Sequence, residues 1–536
     1  MDRIINYFES ISNNFKNEIK SNYTKCVILS TTIMCLIAHA YKYFNTIYAH
    51  DMMFVTEQRN YVSGLIATKW LLSHLHDLIG FSNVTWLSGV LTIIAMSIAV
   101  YCLCKSLDIK SKIGIVLVAG VFVINPAIIM GHLFTPSDFA FAAAFAMLGV
   151  WMLQRNSGNS YLNYFIGVFS IACTAATYGS YAFSALTLML LILIFDIIKG
   201  EVFKKVFKKS MKFASAYVVG MVIWYAILKI ALKVRSVSLQ AYMGESNLES
   251  LDNLKNIPNL IVQAYKKVLY YFLYDNSFGN VHILINRCLI VLAVVLTLLV
   301  IYVERKKIKD FIINILFLVI LIGIIPLAMN GTYVVTGGNV HSLMMFPTVM
   351  MYVYLIKLCD IFKKKEYKRI ILCLFNFLTQ ISLIVYIYGG ILLANQAYLH
   401  LQNNYEISLS IGTRILANIE SCEDYSGKET VVLIGAIGNT DYFNKKDFIG
   451  FENLNSVGIA SRNITHVFSY SSLFPLFLTN VLGSNMNFYM YDNTKAVITS
   501  LELSDYEKNE VLTMGNYPAD GSIIKCNDYI FVKLSD

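Results

Sequence analysis

The sequence predicts a mainly α-helical, polytopic membrane protein with about 11 transmembrane helices, further helices in the outer membrane interface and a small C-terminal α/β domain. Three observations lead there. The 536 residues are 57% hydrophobic and 14% charged, with seven prolines and a mean hydropathy of +0.58. A soluble domain carries about 25% charged residues. Apolar runs recur along the chain, each near the roughly 20 residues that cross a bilayer core as a helix. Basic residues cluster in every second connection between them.

The apolar windows place spans near residues 26–44, 84–104, 113–131, 138–153, 163–179, 180–198, 213–232, 284–303, 310–328, 340–359 and 370–394. The first follows a polar segment with Asp2, Glu9 and Glu18 and has no small-residue cleavage site. It therefore reads as a retained helix and not a signal peptide. The fifth and sixth abut at Tyr178-Gly179-Ser180-Tyr181.

The basic connections hold Lys16, Lys20 and Lys25; Lys105, Lys110 and Lys112; Arg155; and Lys204, Lys205, Lys208, Lys209 and Lys212. They continue with Arg305, Lys306, Lys307 and Lys309, then Lys363, Lys364, Lys365, Lys368 and Arg369. Short basic loops stay cytoplasmic, which puts the N-terminus inside and, after an odd number of spans, the tail outside. These clusters account for the net charge of +9, which does not point to nucleic acid.

Two outer connections are too long for turns, 45–83 and 233–283. Residues 58–80 carry Leu65, Leu71, Leu72, Leu75 and Leu78 at helical spacing, with His74, His76 and Asp77 between them. That pattern predicts an amphipathic helix lying in the interface. Residues 258–275 repeat it with Tyr265, Leu269, Tyr270, Tyr271 and Phe272.

Residues 1–396 form the membrane domain in this reading, and 397–536 turn polar and strand-bearing. Val431-Val432-Leu433-Ile434-Gly435 reads as a buried strand, and 523–532 as a hairpin turning at Asn527-Asp528. Residues 405–420 and 503–513 read as helices. The ten cysteines lack metal spacing; Cys422 and Cys526 fall in the tail and can pair in an oxidising compartment.

No metal cluster, phosphate-cradling glycine loop, nucleophile elbow or dinucleotide fingerprint occurs, so the candidates are polar residues on the outer face. Asp51, beside His50 and just past the first span, is the foremost acid, with Glu57 its rival. Loop acids are more often simply solvated. Arg59 and Lys69 are cations of the interfacial helix, suited to clamping a phosphate or to snorkelling toward headgroups. His132 and Asp138 flank the start of the fourth span, where an acid also suits the positive end of a helix. His341 opens the tenth span with Asn339, a place where histidine commonly packs or caps. Each signal is weak alone, and their gathering on one face gives them weight.

Several motifs resemble those of the bacterial O-antigen serotype-converting glucosyltransferase family, of the Gtr type II kind. His50-Asp51-Met52 stands where the family has an acidic motif after its first helix. Thr68-Lys69-Trp70-Leu71 stands where a Gly-Arg-Trp-like element follows. Asn125-Pro126 leading to Thr135-Pro136-Ser137-Asp138 and Ala176-Thr177-Tyr178-Gly179-Ser180 are further matches. The ending Tyr517-Pro518-Ala519-Asp520-Gly521-Ser522-Ile523, followed by Tyr529-Ile530-Phe531-Val532-Lys533-Leu534, is similar to the family's closing signature. Where the family pairs two acids this chain has Asp51, and lysine and glycine replace the family's arginine and glutamine at Lys69 and Gly179.

The resemblance implies a GT-C-like glycosyltransferase in the bacterial cytoplasmic (inner) membrane. Its donor would be a polyprenyl-phosphate sugar, usually glucose, and its acceptor a lipid-linked or surface polysaccharide. Such transfer needs a base for the acceptor hydroxyl and cations for the leaving phosphate. Asp51 fits the first role; His50, Arg59, Lys69, His132, Asp138 and His341 are the candidates around the donor. Beyond the lipid-phosphate co-substrate no cofactor or metal is indicated, and the partners are membrane lipids and glycans. A flippase for the lipid-linked sugar would bury several mid-span charges and break helices in matched halves, yet Asn125-Pro126 has no twin. A polysaccharide polymerase would be expected to carry arginine-rich outer loops, and 233–283 holds Arg235 alone.

Overall fold

The computed structural model describes residues 20–45, 61–77, 84–155, 159–240, 256–274, 279–305, 308, 310–363, 370–436 and 473–536. The described residues divide into two compact units, one comprising 20–44 and 61–395 and the other Asn45 with 396–536.

The first unit is helical. It contains α1 (Asn22–Phe44), the short α2 (Tyr61–Ile66) and α3 (Leu72–Asp77), α4 (Thr85–Ser106), α5 (Lys112–Val123), α6 (Pro126–His132) and α7 (Pro136–Gln154). Then come α8 (Ser160–Tyr178), α9 (Ala182–Ile198), α10 (Phe203–Arg235), α11 (Ile257–Leu273), α12 (Gly279–Glu304), α13 (Phe311–Met329), α14 (Gly331–Val335) and α15 (Val349–Lys363). The last helix, α16 (Ile370–Glu420), contributes to both units. Among the described residues nine helices are long and apolar enough to cross a membrane, or ten with the pair α5 and α6 counted as one bent span. Helix α13 is apolar all round and leaves Ile312, Leu316, Val319 and Ile320 exposed, a surface suited to lipid.

The expected 11 spans differ from this count at two irregular places. The expected third span is α5 and α6, bent by 53° at Asn125-Pro126. Pro126 has no N–H to continue the ladder, and Asn125 caps the new start by accepting from the Ala127 N–H at 2.9 Å. The expected fifth and sixth spans form one helical run, Ser160–Ile198. That run is interrupted where Tyr178 is extended (φ −155°, ψ 105°) and Gly179–Tyr181 form a 3-10 turn. The expected interfacial helix over 58–80 is likewise broken. Its described part is α2 and α3, separated at Ala67–Leu71, where Thr68 has φ +64°.

Polar groups sort to two ends of this unit. At one end Tyr23 of α1 donates to Ile109 O (3.2 Å), Gln154 of α7 donates to Ser106 O (3.0 Å), and Lys212 of α10 donates to Leu153 O (2.7 Å). Lys105 lies 4.5 Å from the Tyr23 ring centroid. Lys357 of α15 donates to Asp108 O at 2.8 Å. The basic connections at 105–112 and 155 thus meet the start of α1 and Lys212 at this end. The opposite end of α1, α4 and α7 carries Tyr43, Ser88 and Asp138, where Ser88 donates to Ser137 at 3.2 Å.

The second unit is an α/β layer structure. Strands β1 (Thr430–Ile434), β2 (Asn487–Tyr491), β3 (Ile523–Cys526) and β4 (Tyr529–Lys533) form one sheet in the order β2-β1-β4-β3. β1 is parallel to both neighbours, with Val432 opposite Tyr489 and Phe531, and β3 is antiparallel to β4. Both faces are covered, which is why the central strand reads as a continuous apolar run. Val431 and Leu433 pack with Ile411, Ile415, Phe474 and Phe477, whereas Val432 and Ile434 pack with Val497, Val511 and Phe531. The hairpin turns at Asn527, with φ +51°, a left-handed conformation that asparagine tolerates. Cys422 and Cys526 are free thiols.

Candidate active site

The end of α1 is tied to the α5–α6 break by two stacked imidazoles. The α5 terminus leaves carbonyls without helical partners, and His39 Nε2 donates to one of them, Val123 O, at 3.1 Å. The His39 ring stacks on His132 with centroids 3.9 Å apart and planes 18° apart. His132 Nδ1 donates to Ile128 O at 2.7 Å, so its neutral ring presents Nε2 as an acceptor, and the Tyr43 hydroxyl donates there at 3.0 Å. His132 is 1% exposed. Lys42, beside Tyr43 on α1, is buried too.

Asp138 sits in the first turn of α7, where helix N–H groups favour a carboxylate. Its two oxygens lie 2.7 and 2.6 Å from His76 Nε2, reached from α3 across 62 residues of sequence. Both side chains are buried. A carboxylate accepts hydrogen bonds and offers none to a phosphate, so this geometry suits holding the imidazole.

Lys69 lies in the break between α2 and α3, half-buried, with its ammonium 5.0 Å from the Tyr178 ring centroid. The break is held from several sides. Leu71 N–H donates to Ala176 O (3.1 Å), a carbonyl freed by the end of α8. Trp70 Nε1 donates to Trp224 O, and Trp224 Nε1 returns a bond to Thr68 O, both at 3.3 Å. Gln240 N–H donates to Ile66 O at 3.2 Å. Tyr178 meets Phe139, the residue after Asp138, edge-on at 5.0 Å.

Asp51, His50 and Arg59 lie outside the described residues. Lys69, His132 and Asp138 are brought to one end of the first unit. His341 precedes the 3-10 segment Ser342–Thr348, which packs on α6, the helix that ends in His132. His39, Tyr43 and His76 join this buried cluster although no local pattern in the sequence marks them for it. His39 lies inside an apolar span, and a histidine and an acid 62 positions apart leave no local signal. Among the described residues no three His, Cys, Asp or Glu side chains are placed to hold a metal ion.

Long apolar helices with a buried polar cluster at one end, followed by a small α/β unit, define a multi-spanning membrane protein with a candidate site where its first spans meet. The chain belongs to the glucosyl transferase GtrII family: the model of that family matches residues 41–358, more than half of it. It is therefore a membrane glycosyltransferase. No curated protein and no solved structure matches the chain significantly.

Proposed function

We propose that this protein transfers a sugar, most simply glucose, from polyprenyl phosphate to a lipid-linked or surface polysaccharide on the outer face of the bacterial cytoplasmic membrane. Residues 1–396 would be a GT-C-like catalytic domain with its N-terminus cytoplasmic, and 397–536 an extracytoplasmic α/β domain. One observation carries the reading: the family match, residues 41–358, spans all seven candidate residues. Support comes from the gathering of Lys69, His132 and Asp138 at the end of the first unit opposite the basic connections.

In this reading Asp51 takes the proton of the acceptor hydroxyl as its oxygen bonds the anomeric carbon. The bond from that carbon to the phosphate oxygen breaks, and the electron pair leaves with polyprenyl phosphate. Cations near the departing oxygens stabilise the developing charge; Lys69 and Arg59 are the first choices, with His50, His132 and His341 around them. A lysine serves as a point charge without the bidentate fork of arginine.

The test is an assay in membranes with labelled polyprenyl-phosphate sugars. Label is expected to move to an acceptor glycan, and Asp51→Asn is expected to lower the rate by about 10²–10⁴-fold with the protein still in the membrane. Label that crosses the bilayer without transfer would identify a flippase instead. A fully active Asp51→Asn protein would remove Asp51 from the mechanism.

A further inference from the structure

The His76–Asp138 pair has no assigned role in the transfer, yet it is the buried anchor of the segment that carries Lys69. Three observations connect them. First, the Ala67–Leu71 break is a conformation the chain would not hold unaided. Thr68 is a β-branched residue at φ +64°, and such a backbone persists when its surroundings over-determine it. Second, those surroundings include α3, which begins directly after the break and is pinned to α7 by His76 and Asp138 at 2.6–2.7 Å. Third, the residue after Asp138 is linked to the same lysine through Tyr178. Phe139 packs edge-on against Tyr178, and the Tyr178 ring lies under the Lys69 ammonium. The first turn of α7 thus frames Lys69 twice, through the His76–Asp138 hydrogen bond and through two aromatic rings.

We infer that Asp138 is a positioning residue for donor binding, acting through His76 and through Phe139–Tyr178 to fix the place of the Lys69 ammonium against a lipid-linked phosphate. This rests on the reading above that the donor is a polyprenyl phosphate met by Lys69. A lysine ammonium rides on a flexible four-carbon stem, so its value as a fixed counter-charge depends on the backbone and ring that constrain it. Removing either member of this buried pair takes away the hydrogen bond that joins α3 to α7, and the α3 anchor then loosens the Lys69 segment without touching the ligand.

The experiment measures binding of sugar-free polyprenyl phosphate to the full chain in lipid nanodiscs, read by the fluorescence of Trp70, which neighbours Lys69. Asp138→Ala and His76→Ala are each expected to weaken binding by roughly 10- to 100-fold, the scale of a small misplacement. In a Lys69→Ala background, Asp138→Ala is expected to add less than about twofold, because the group it positions is gone. In the transfer assay the same variants raise the donor KM more than they lower kcat, whereas a merely loosened fold removes active enzyme and lowers kcat alone. Asp138→Asn, which keeps the shape and one accepting oxygen, carries the same comparison should the alanine variant not accumulate. Equal loss with and without Lys69, or variants that bind like the parent, overturns the inference. Failure of the parent to bind polyprenyl phosphate overturns the donor reading itself, a separate result.

Discussion

The Lys357 ammonium lies 3.6 Å from the Asp360 carboxylate, one turn along α15, and each side chain is 1% exposed. Together they clasp the connection between α4 and α5: Lys357 donates to Asp108 O at 2.8 Å, and Asp360 accepts from the Ser111 N–H at 3.3 Å. Breaking such a pair on one side strands a buried charge. Lys357→Met is expected to cost about 3–5 kcal/mol, and Lys357→Met with Asp360→Leu distinctly less. Unfolding in detergent by heat or denaturant measures both. Single variants within about 1 kcal/mol of the parent would contradict the clasp.

His39→Phe keeps a ring to stack on His132 but removes the donor to Val123 O. The orphaned carbonyl at the α5–α6 break is expected to cost about 1–3 kcal/mol. The same unfolding measurement decides it, and an unchanged stability would mean that another group supplies the donor.

Thr68→Gly is expected to stabilise the protein by up to about 1 kcal/mol. Relief of the left-handed backbone outweighs the added freedom of the unfolded chain, and the Thr68 carbonyl still accepts from Trp224. Thr68→Val, with its branch retained, gives no such gain. A glycine variant less stable than the parent would show that the threonine side chain matters more than its φ.

Glu429 couples the second unit to pH. Burial raises its carboxyl, but the Lys525 ammonium at 2.9 Å, its own backbone N–H and the N–H and hydroxyl of Ser426 outweigh burial and hold it at about 2, below the usual 4.5. A depressed acid contributes stability that is complete above the unfolded value and fades as pH falls toward the folded one. Hydrogen exchange of the β1 and β4 amides in the full chain is expected to quicken as pH drops from about 4.5 toward 2, after correction for intrinsic exchange. Glu429→Gln should flatten that dependence and lower protection at neutral pH. A Gln variant with the parent's pH profile would refute the assignment.

The spans and basic connections are legible because each is a local property: an apolar window, or a knot of lysines. The tail strands are legible for the same reason, Val431–Ile434 by its unbroken apolar run and the hairpin by Asn527-Asp528. What escapes is the irregular backbone. Pro126 is visible in the sequence, yet a proline inside an apolar window does not reveal a bend of 53°, and nothing in the letters marks Thr68 for a positive φ. Long-range pairing escapes as well. His76 and Asp138 each stand out as polar residues, but their meeting depends on how α3 docks on α7. His39 sits among apolar neighbours, and its partner carbonyl exists because a different helix is broken.

In the second unit β4 (Tyr529–Lys533) lies between β1 and β3, although it is the last of these four strands to leave the ribosome. β1, made about a hundred residues earlier, waits for synthesis to reach Lys533 before it gains its inner neighbour. Until then its edge is open to pairing with other chains. A chain that stops before Tyr529 would therefore lose an interior element of the sheet and not an edge.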